Sequence, residues 1–80
     1  MSQRHYHESK PSYRVLAEID RLTGGVVGKP APLARMFCYE PEQRAALLQG
    51  LEEENMVKVD GDSVSLTTYG VDTLIRYIRA

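Results

Sequence analysis

The sequence has little cysteine, no long apolar run and no excess of charge of one sign, and each absence excludes a class of protein. Its single cysteine, Cys38, cannot close a disulfide within the chain, so the fold is not a disulfide scaffold, and a reducing compartment is expected. The uncharged apolar runs are far too short to span a bilayer. The opening stretch MSQRHYHESKPSY is polar and lacks the apolar core of an export signal. We therefore expect a cytoplasmic protein with no membrane contact.

The charges of the chain nearly cancel. Ten Lys and Arg side chains against eleven Asp and Glu side chains give a net charge of −1. A domain dedicated to nucleic acid usually has a strong basic excess. The net charge neither predicts nor excludes DNA binding, so that question depends on where the charged residues lie.

Signatures of catalysis and of cofactor binding are also missing. Residues 24–29 (GGVVGK) end in Gly-Lys but lack the spacing and the following Ser or Thr of a phosphate-binding loop. His5 and His7 lie far along the chain from Cys38, which leaves no convincing set of three or four metal ligands. No base is paired with a cysteine or serine in a pattern typical of a nucleophile. We expect no enzymatic activity and neither a metal ion nor another cofactor.

The length of the chain limits it to one small domain. Eighty residues bury only about 60% of the surface that the unfolded chain exposes. Residues 1–11 are polar and are predicted to form an arm, and residues 12–80 are predicted to form the domain. Because a core this small is readily completed by a second subunit, we expect a homodimer.

Apolar spacing predicts a helix at each end of the domain. Residues 13–23 have one apolar face, with Ser12 as the N-cap and Gly24-Gly25 after the end. Thr67 or Thr68 caps a final helix with the same kind of face. The apolar residues of the two faces are Val15, Leu16, Ile19 and Leu22, and Val71, Leu74, Ile75 and Ile78.

Prolines and glycines divide the middle of the chain. Val26-Val27 is predicted to form a very short strand, and residues 33–37 a second helix of about two turns that ends before Pro41. A third helix should run from Pro41 to about Glu54, with Asn55 as a left-handed cap. Its inward positions are Leu47, Leu48 and Leu51.

Residues 57–66 alternate apolar and polar side chains on either side of an Asp-Gly turn, which is a strong signal for a β-hairpin. If the apolar residues point inward, Lys58 points outward. The element order is helix, short strand, helix, helix, hairpin, helix. This order predicts an α+β fold that is mostly α.

Residues 51–57 (LEEENMV) and 66–70 (LTTYG) resemble two motifs of the winged helix-turn-helix superfamily, especially small regulators of the MarR and ArsR type. In that family a recognition helix ends in Leu-Glu-x-x-Gly-Leu-Val, a hairpin wing follows, and Leu-Thr-x-x-Gly opens the next helix. Asn55 stands where the family has glycine. At Gly70 we expect close backbone packing in the first turn of the last helix. The resemblance implies a DNA-binding transcriptional regulator.

The resemblance places the third helix in the major groove of duplex DNA and the wing against the neighbouring backbone. Gln43 and Gln49 can then read adenine, and Arg44 can reach a guanine or a phosphate, or pair locally with Glu40. Further cations are candidates for phosphate contacts. They are Arg14, Lys29, Arg35 and Lys58, together with the basic residues of the arm. The wing tip differs from DNA-probing wings, because it carries Asp60 and Asp62 and no arginine.

An alternative is a winged helix that binds a protein through the same third helix. Ala45, Ala46 and Gly50 leave one side of that helix thin, so another helix or backbone can come close. The final helix carries Tyr69, Tyr77 and Ile78 beside its apolar face, a pattern that favours a homodimer seam. The sequence therefore leaves DNA binding and protein binding both open, with DNA binding the first hypothesis.

Overall fold

The computed structural model describes the backbone of residues 11–79 and the side chains of residues 11–76. The predicted arm, apart from Pro11, and the side chains of Tyr77 and Ile78 lie outside the described residues. The elements are α1 (Pro11–Thr23), β1 (Ala31–Pro32), a 3-10 helix (Leu33–Arg35), α2 (Pro41–Glu53), β2 (Val57–Asp60), β3 (Ser63–Leu66) and α3 (Thr68–Arg79). The predicted α+β class with mostly helix is confirmed. No helix among the described residues is long and apolar enough to cross a membrane.

The three strands form one antiparallel sheet in the order β1-β3-β2. Val64 in the central strand pairs with Ala31 on one side and with Val59 on the other. Gly61 and Asp62 close the hairpin, and Gly61 alone of the two has a positive φ, 61°. This is the pattern of a type II′ turn, in which glycine takes the first central position. The predicted hairpin is confirmed, with Lys58 exposed on its outer side.

The core lies between the inner face of the sheet and the three helices. Val15, Leu16 and Ile19 of α1 are fully buried, so α1 is the central helix of the packing. The other fully or nearly fully buried apolar residues include Leu48 and Leu51 of α2, Val57, Val64 and Leu66 of the sheet, and Leu74 of α3. The apolar spacing placed these residues inward, but it also placed Ile75 of α3 inward, and Ile75 is 44% exposed.

The short strand and the start of α1 differ from the sequence predictions. Val26 and Val27 form turns and are 54% and 47% exposed, whereas the short strand is Ala31–Pro32. A proline can stand there because β1 is an edge strand, where one missing N–H donor is tolerated. The helix α1 begins at Pro11, so Ser12 lies inside its first turn and is not the residue that precedes it.

The predicted second helix of two turns is wrong. Only Leu33–Arg35 form a 3-10 turn, and Met36 is already extended, with φ −92° and ψ 132°. Met36 is buried and Phe37 is 81% exposed. The amides of Phe37 and Cys38 donate to the carboxylate of Glu18 in α1, at 2.9 and 3.3 Å, and so need no helical carbonyl partner. A contact from another element thus replaces the helix.

A compact joint connects α2 to α3. Asn55 has a φ of 64°, and the amides of Asn55 and Met56 donate to the carbonyls of Glu52 and Leu51, at 3.0 and 2.9 Å. This is a Schellman motif with asparagine in the left-handed position, as predicted. Thr67 caps α3 by accepting the amide of Gly70 at 3.0 Å. The α2 end and the α3 start are therefore both fixed by local hydrogen bonds.

Candidate nucleic-acid interface

The outer face of α2 exposes the two glutamines that were predicted to read bases. Gln43 and Gln49 are both exposed. They lie six residues apart, which at 3.6 residues per turn separates them by about 120° around the helix. The most outward stripe consists of Glu42, Ala46, Gln49 and Glu53, at spacings of four, three and four residues. A ligand that approaches this stripe would therefore lie closer to Gln49 than to Gln43. It would also meet the carboxylates of Glu42 and Glu53.

Arg44 turns away from this stripe toward the start of α2. Its Nη1 atom donates to the carbonyl oxygen of Tyr39 at 3.2 Å, and the side chain is half-buried. Among the described residues it forms no ion pair with Glu40, so the predicted local pair is wrong. The guanidinium carbon of Arg14 lies 5.8 Å from the centroid of the Tyr39 ring, within cation–π range. Tyr39 thus contacts Arg14 of α1 through its ring and Arg44 of α2 through its backbone carbonyl.

The segment that carries Tyr39 is held in place by Glu18. Besides the amides of Phe37 and Cys38, the carboxylate accepts the Cys38 thiol at 2.8 Å and pairs with Arg21 at 3.4 Å. Partial burial disfavours the charged carboxylate, but the thiol and amide hydrogen bonds and Arg21 outweigh it, so the pKa of Glu18 is lowered. Tyr39 itself has a φ of 67°, which is uncommon for a residue other than glycine.

Cys38 is a hydrogen-bond donor in this arrangement and is not a nucleophile. Its burial, the hydrogen bond to Glu18 and the charge of Glu18 raise its pKa to about 11. The thiol is therefore protonated at neutral pH, and thiolate reactivity is suppressed. Among the described residues, no group of three or more His, Cys, Asp or Glu is placed to hold a metal ion.

The other predicted cations lie apart from Tyr39. Arg35 is exposed at the end of the 3-10 helix, and Lys29 is exposed just before β1. Lys58 lines a pocket of about 320 Å³ on the outer face of the sheet together with Gly28, Pro30 and Asp60. Within residues 11–76, ion pairs join Arg21 to Glu18 and Arg76 to Asp72. The cations without an ion pair to a described residue are those predicted to contact DNA: Arg14, Lys29, Arg35, Arg44 and Lys58.

The hairpin tip, which is the predicted wing tip, presents negative charge. Asp60 and Asp62 are exposed at the turn, as the sequence predicted. The carbonyl oxygen of Asp62 accepts the amide of Leu33 at 2.8 Å, which ties the tip to the 3-10 helix. The hairpin packs beside α2, but its tip would repel a phosphate backbone.

A groove along the flank of α2 was not predicted from the sequence. It has a volume of about 330 Å³ and lies between α2, the 3-10 helix and β2. We call it the α2 groove, and its lining consists of Leu33, Pro41, Arg44, Ala45, Leu48, Gln49, Glu52 and Val59. The spacing of Pro41, Ala45, Leu48 and Glu52 indicates one side of a helix, but Leu33 and Val59 join it only through the fold.

Neither models of known protein families, nor curated proteins, nor solved structures gave a match to this chain. Function is therefore inferred from the geometry, burial and charge of its own residues.

Proposed function

We propose that this chain is a winged-helix domain that binds duplex DNA with α2 and acts as a transcriptional regulator. The element order and the Leu-Thr-x-x-Gly start of α3 support the winged helix, although the helix before α2 is reduced to a 3-10 turn. The outer face of α2 is exposed and not covered by another described element. Such a helix can enter a major groove about 12 Å wide.

The contacts of Arg14 and Arg44 with Tyr39, just before α2, carry this proposal. Both cations lie near the start of α2, and neither has a carboxylate partner among the described residues. The free amides at the start of a helix add partial positive charge there. Arg14 and Arg44 contact phosphates in the proposal, and Gln49 and Gln43 face base edges. The acidic wing tip stays away from the duplex.

A direct test is fluorescence anisotropy of a labelled random duplex of about 30 base pairs at several salt concentrations. We expect a Kd between about 1 and 100 µM at physiological salt, and much tighter binding as the salt concentration is lowered. Replacing both Arg14 and Arg44 with Gln should reduce the salt slope by about 2, because two phosphate contacts are lost. Arg76→Gln is the control, since Arg76 is occupied by Asp72 on α3.

Two results would count against DNA binding through α2. The first is the absence of salt-sensitive binding even at low salt. The second is an equal loss of binding in the Arg76→Gln control, which would indicate a general charge effect.

A protein-interaction module is the second candidate, and the thin side of α2 favours it. Ala45 and Ala46 are exposed, and a Cβ added at Gly50 meets no atom within 4 Å. Ala46→Arg or Gly50→Arg should therefore leave the fold intact by circular dichroism and abolish capture of the partner in a pull-down. Intact capture by both variants would exclude a partner docked on this side.

A further inference from the structure

Phe37 projects into solvent from a rigid segment. It is the only phenylalanine of the chain and is 81% exposed, while Met36 before it is buried. The Glu18 carboxylate fixes the backbone of Phe37 and Cys38 through two amides and the thiol. A ring carried on a backbone that is already fixed loses less conformational entropy when it enters a pocket than a ring on a free backbone. Phe37 therefore has the properties of an interface anchor.

The segment that carries this ring borders the α2 groove at both of its ends. Phe37 belongs to the short segment between Leu33 and Pro41, both of which line the groove. The walls are mainly apolar, and a volume of about 330 Å³ falls in the range of sites that enclose a molecule of ligand size. A single aromatic side chain fits such a space. One surface of the molecule thus carries both a protruding ring and a cavity that can receive one.

The charges near Phe37 and near the α2 groove have opposite signs. Arg35 and Phe37 are both exposed on either side of the buried Met36, so both side chains point away from the core. Arg35 is exposed and has no ion pair with a described residue. Glu52 lines the groove, and its Oε2 accepts the amide of Val59 at 3.2 Å, which holds the carboxylate at the groove wall. The positively charged Arg35 is therefore close in the chain to the Phe37 ring, and the negatively charged Glu52 lies at the wall of the groove.

We propose that two copies of this chain form a symmetric dimer in which Phe37 of each copy inserts into the α2 groove of the other and Arg35 pairs with Glu52 across the interface. A two-fold interface requires one patch to be complementary to itself, and this patch meets that requirement. Buried aromatic and arginine side chains are the usual energetic centres of interfaces. This surface is separate from the seam on α3 that the sequence predicts.

The dimer has a consequence that rests on the proposed function. Arg44 and Gln49 line the α2 groove and are also proposed DNA contacts. Self-association and DNA binding then use the same side of α2 and compete. The test of the dimer below contains no DNA, so its failure leaves the DNA proposal standing, and the reverse also holds.

The test is sedimentation velocity of the full chain from about 1 µM to 1 mM protein. The wild type should shift from monomer to dimer within this range. Phe37→Ser should weaken dimerisation by about 30-fold or more, as for an interface hot spot. Tyr69→Ser is the matched control, because Tyr69 is an exposed aromatic, 51% exposed, on α3. It should dimerise like the wild type.

Charge reversal makes the test independent of any loss of folding. Arg35→Glu and Glu52→Arg should each weaken the dimer, because each places like charges opposite one another. The double variant should recover dimerisation relative to both single variants, since the pair is restored with opposite polarity. A wild type that stays monomeric at 1 mM overturns the proposal. So does a dimer that is lost in Tyr69→Ser and kept in Phe37→Ser, or a double variant without recovery.

Discussion

At the residue scale, the missing side chain of Gly70 lets α3 pack against the start of the hairpin. A Cβ built at this position lies 2.0 Å from the carbonyl oxygen of Met56 and 2.9 Å from its carbonyl carbon. Both atoms belong to backbone, which cannot move aside as the tip of a long side chain can. The sequence predicted close packing for Gly70, and the structure confirms it. The contact partner could not be predicted, because it depends on the path of the chain through Asn55 and Thr67.

Gly70→Ala should therefore destabilise the fold, although alanine normally favours a helix over glycine by about 1 kcal/mol. We expect a loss of about 2 kcal/mol or more in the free energy of unfolding, because overpacking against backbone exceeds the gain in propensity. The matched control is Gly50→Ala in α2, where the added Cβ meets nothing within 4 Å. That variant should gain up to about 1 kcal/mol. Urea unfolding followed by circular dichroism measures both, and a similar change in the two variants would contradict the packing argument.

At the scale of elements, sequence patterns correctly predicted the structures that are formed by contacts between residues close together in the chain. The hairpin has its turn where the Asp-Gly pair indicates, and Asn55 adopts its left-handed conformation within a Schellman motif. Both features depend on residues within six positions of one another. Helix α1 likewise follows from its own apolar spacing, with Val15, Leu16 and Ile19 buried.

The elements that were mispredicted depend on contacts between distant residues. Residues 33–37 have a helical apolar pattern, but Glu18, 19 residues before Phe37, takes the amides that a helix would use. Val26 and Val27 have high strand propensity, yet the edge strand forms at Ala31, which pairs with Val64 in the central strand. The α2 groove was missed for the same reason, since Leu33 and Val59 reach it from other elements.

The role of Glu18 predicts how stability depends on pH. Its pKa is lowered in the folded state, so the carboxylate contributes stability that is present above its unfolded pKa and is lost as the pH falls through the folded pKa. Glu18→Gln should therefore be clearly less stable than the wild type near neutral pH, and the difference should shrink as the pH falls from about 6 to about 3. Urea unfolding at several pH values measures this difference.

A glutamate without these contacts provides the control for the pH experiment. Glu54 is exposed at the end of α2, and its side chain takes part in none of the side-chain hydrogen bonds or ion pairs that join described residues. Glu54→Gln should track the wild type across the same pH range. If Glu18→Gln kept a constant difference from the wild type at every pH, the carboxylate charge would not be what holds residues 37 and 38.

At the scale of the whole molecule, a net charge of −1 means that DNA binding depends on where the charges lie. The sequence identified the candidate cations, but it could not show that Arg14 and Arg44 both contact Tyr39, because one contact is with the ring and the other is a hydrogen bond to the backbone carbonyl. Two carboxylates on the outward stripe of α2, Glu42 and Glu53, oppose these cations. The phosphates of a duplex bound to α2 would therefore be attracted by these arginines and repelled by the two glutamates on the same helix surface.

Single neutralisations can locate the duplex on this surface. Glu42→Gln and Asp62→Asn change the net charge equally, and both residues are exposed. If α2 faces the duplex and the wing tip does not, Glu42→Gln should tighten binding about two- to fivefold at low salt, because a nearby repulsion is removed. Asp62→Asn should tighten it less. Anisotropy with the same random duplex measures both, and a larger gain for Asp62→Asn would place the wing tip, and not α2, against the DNA.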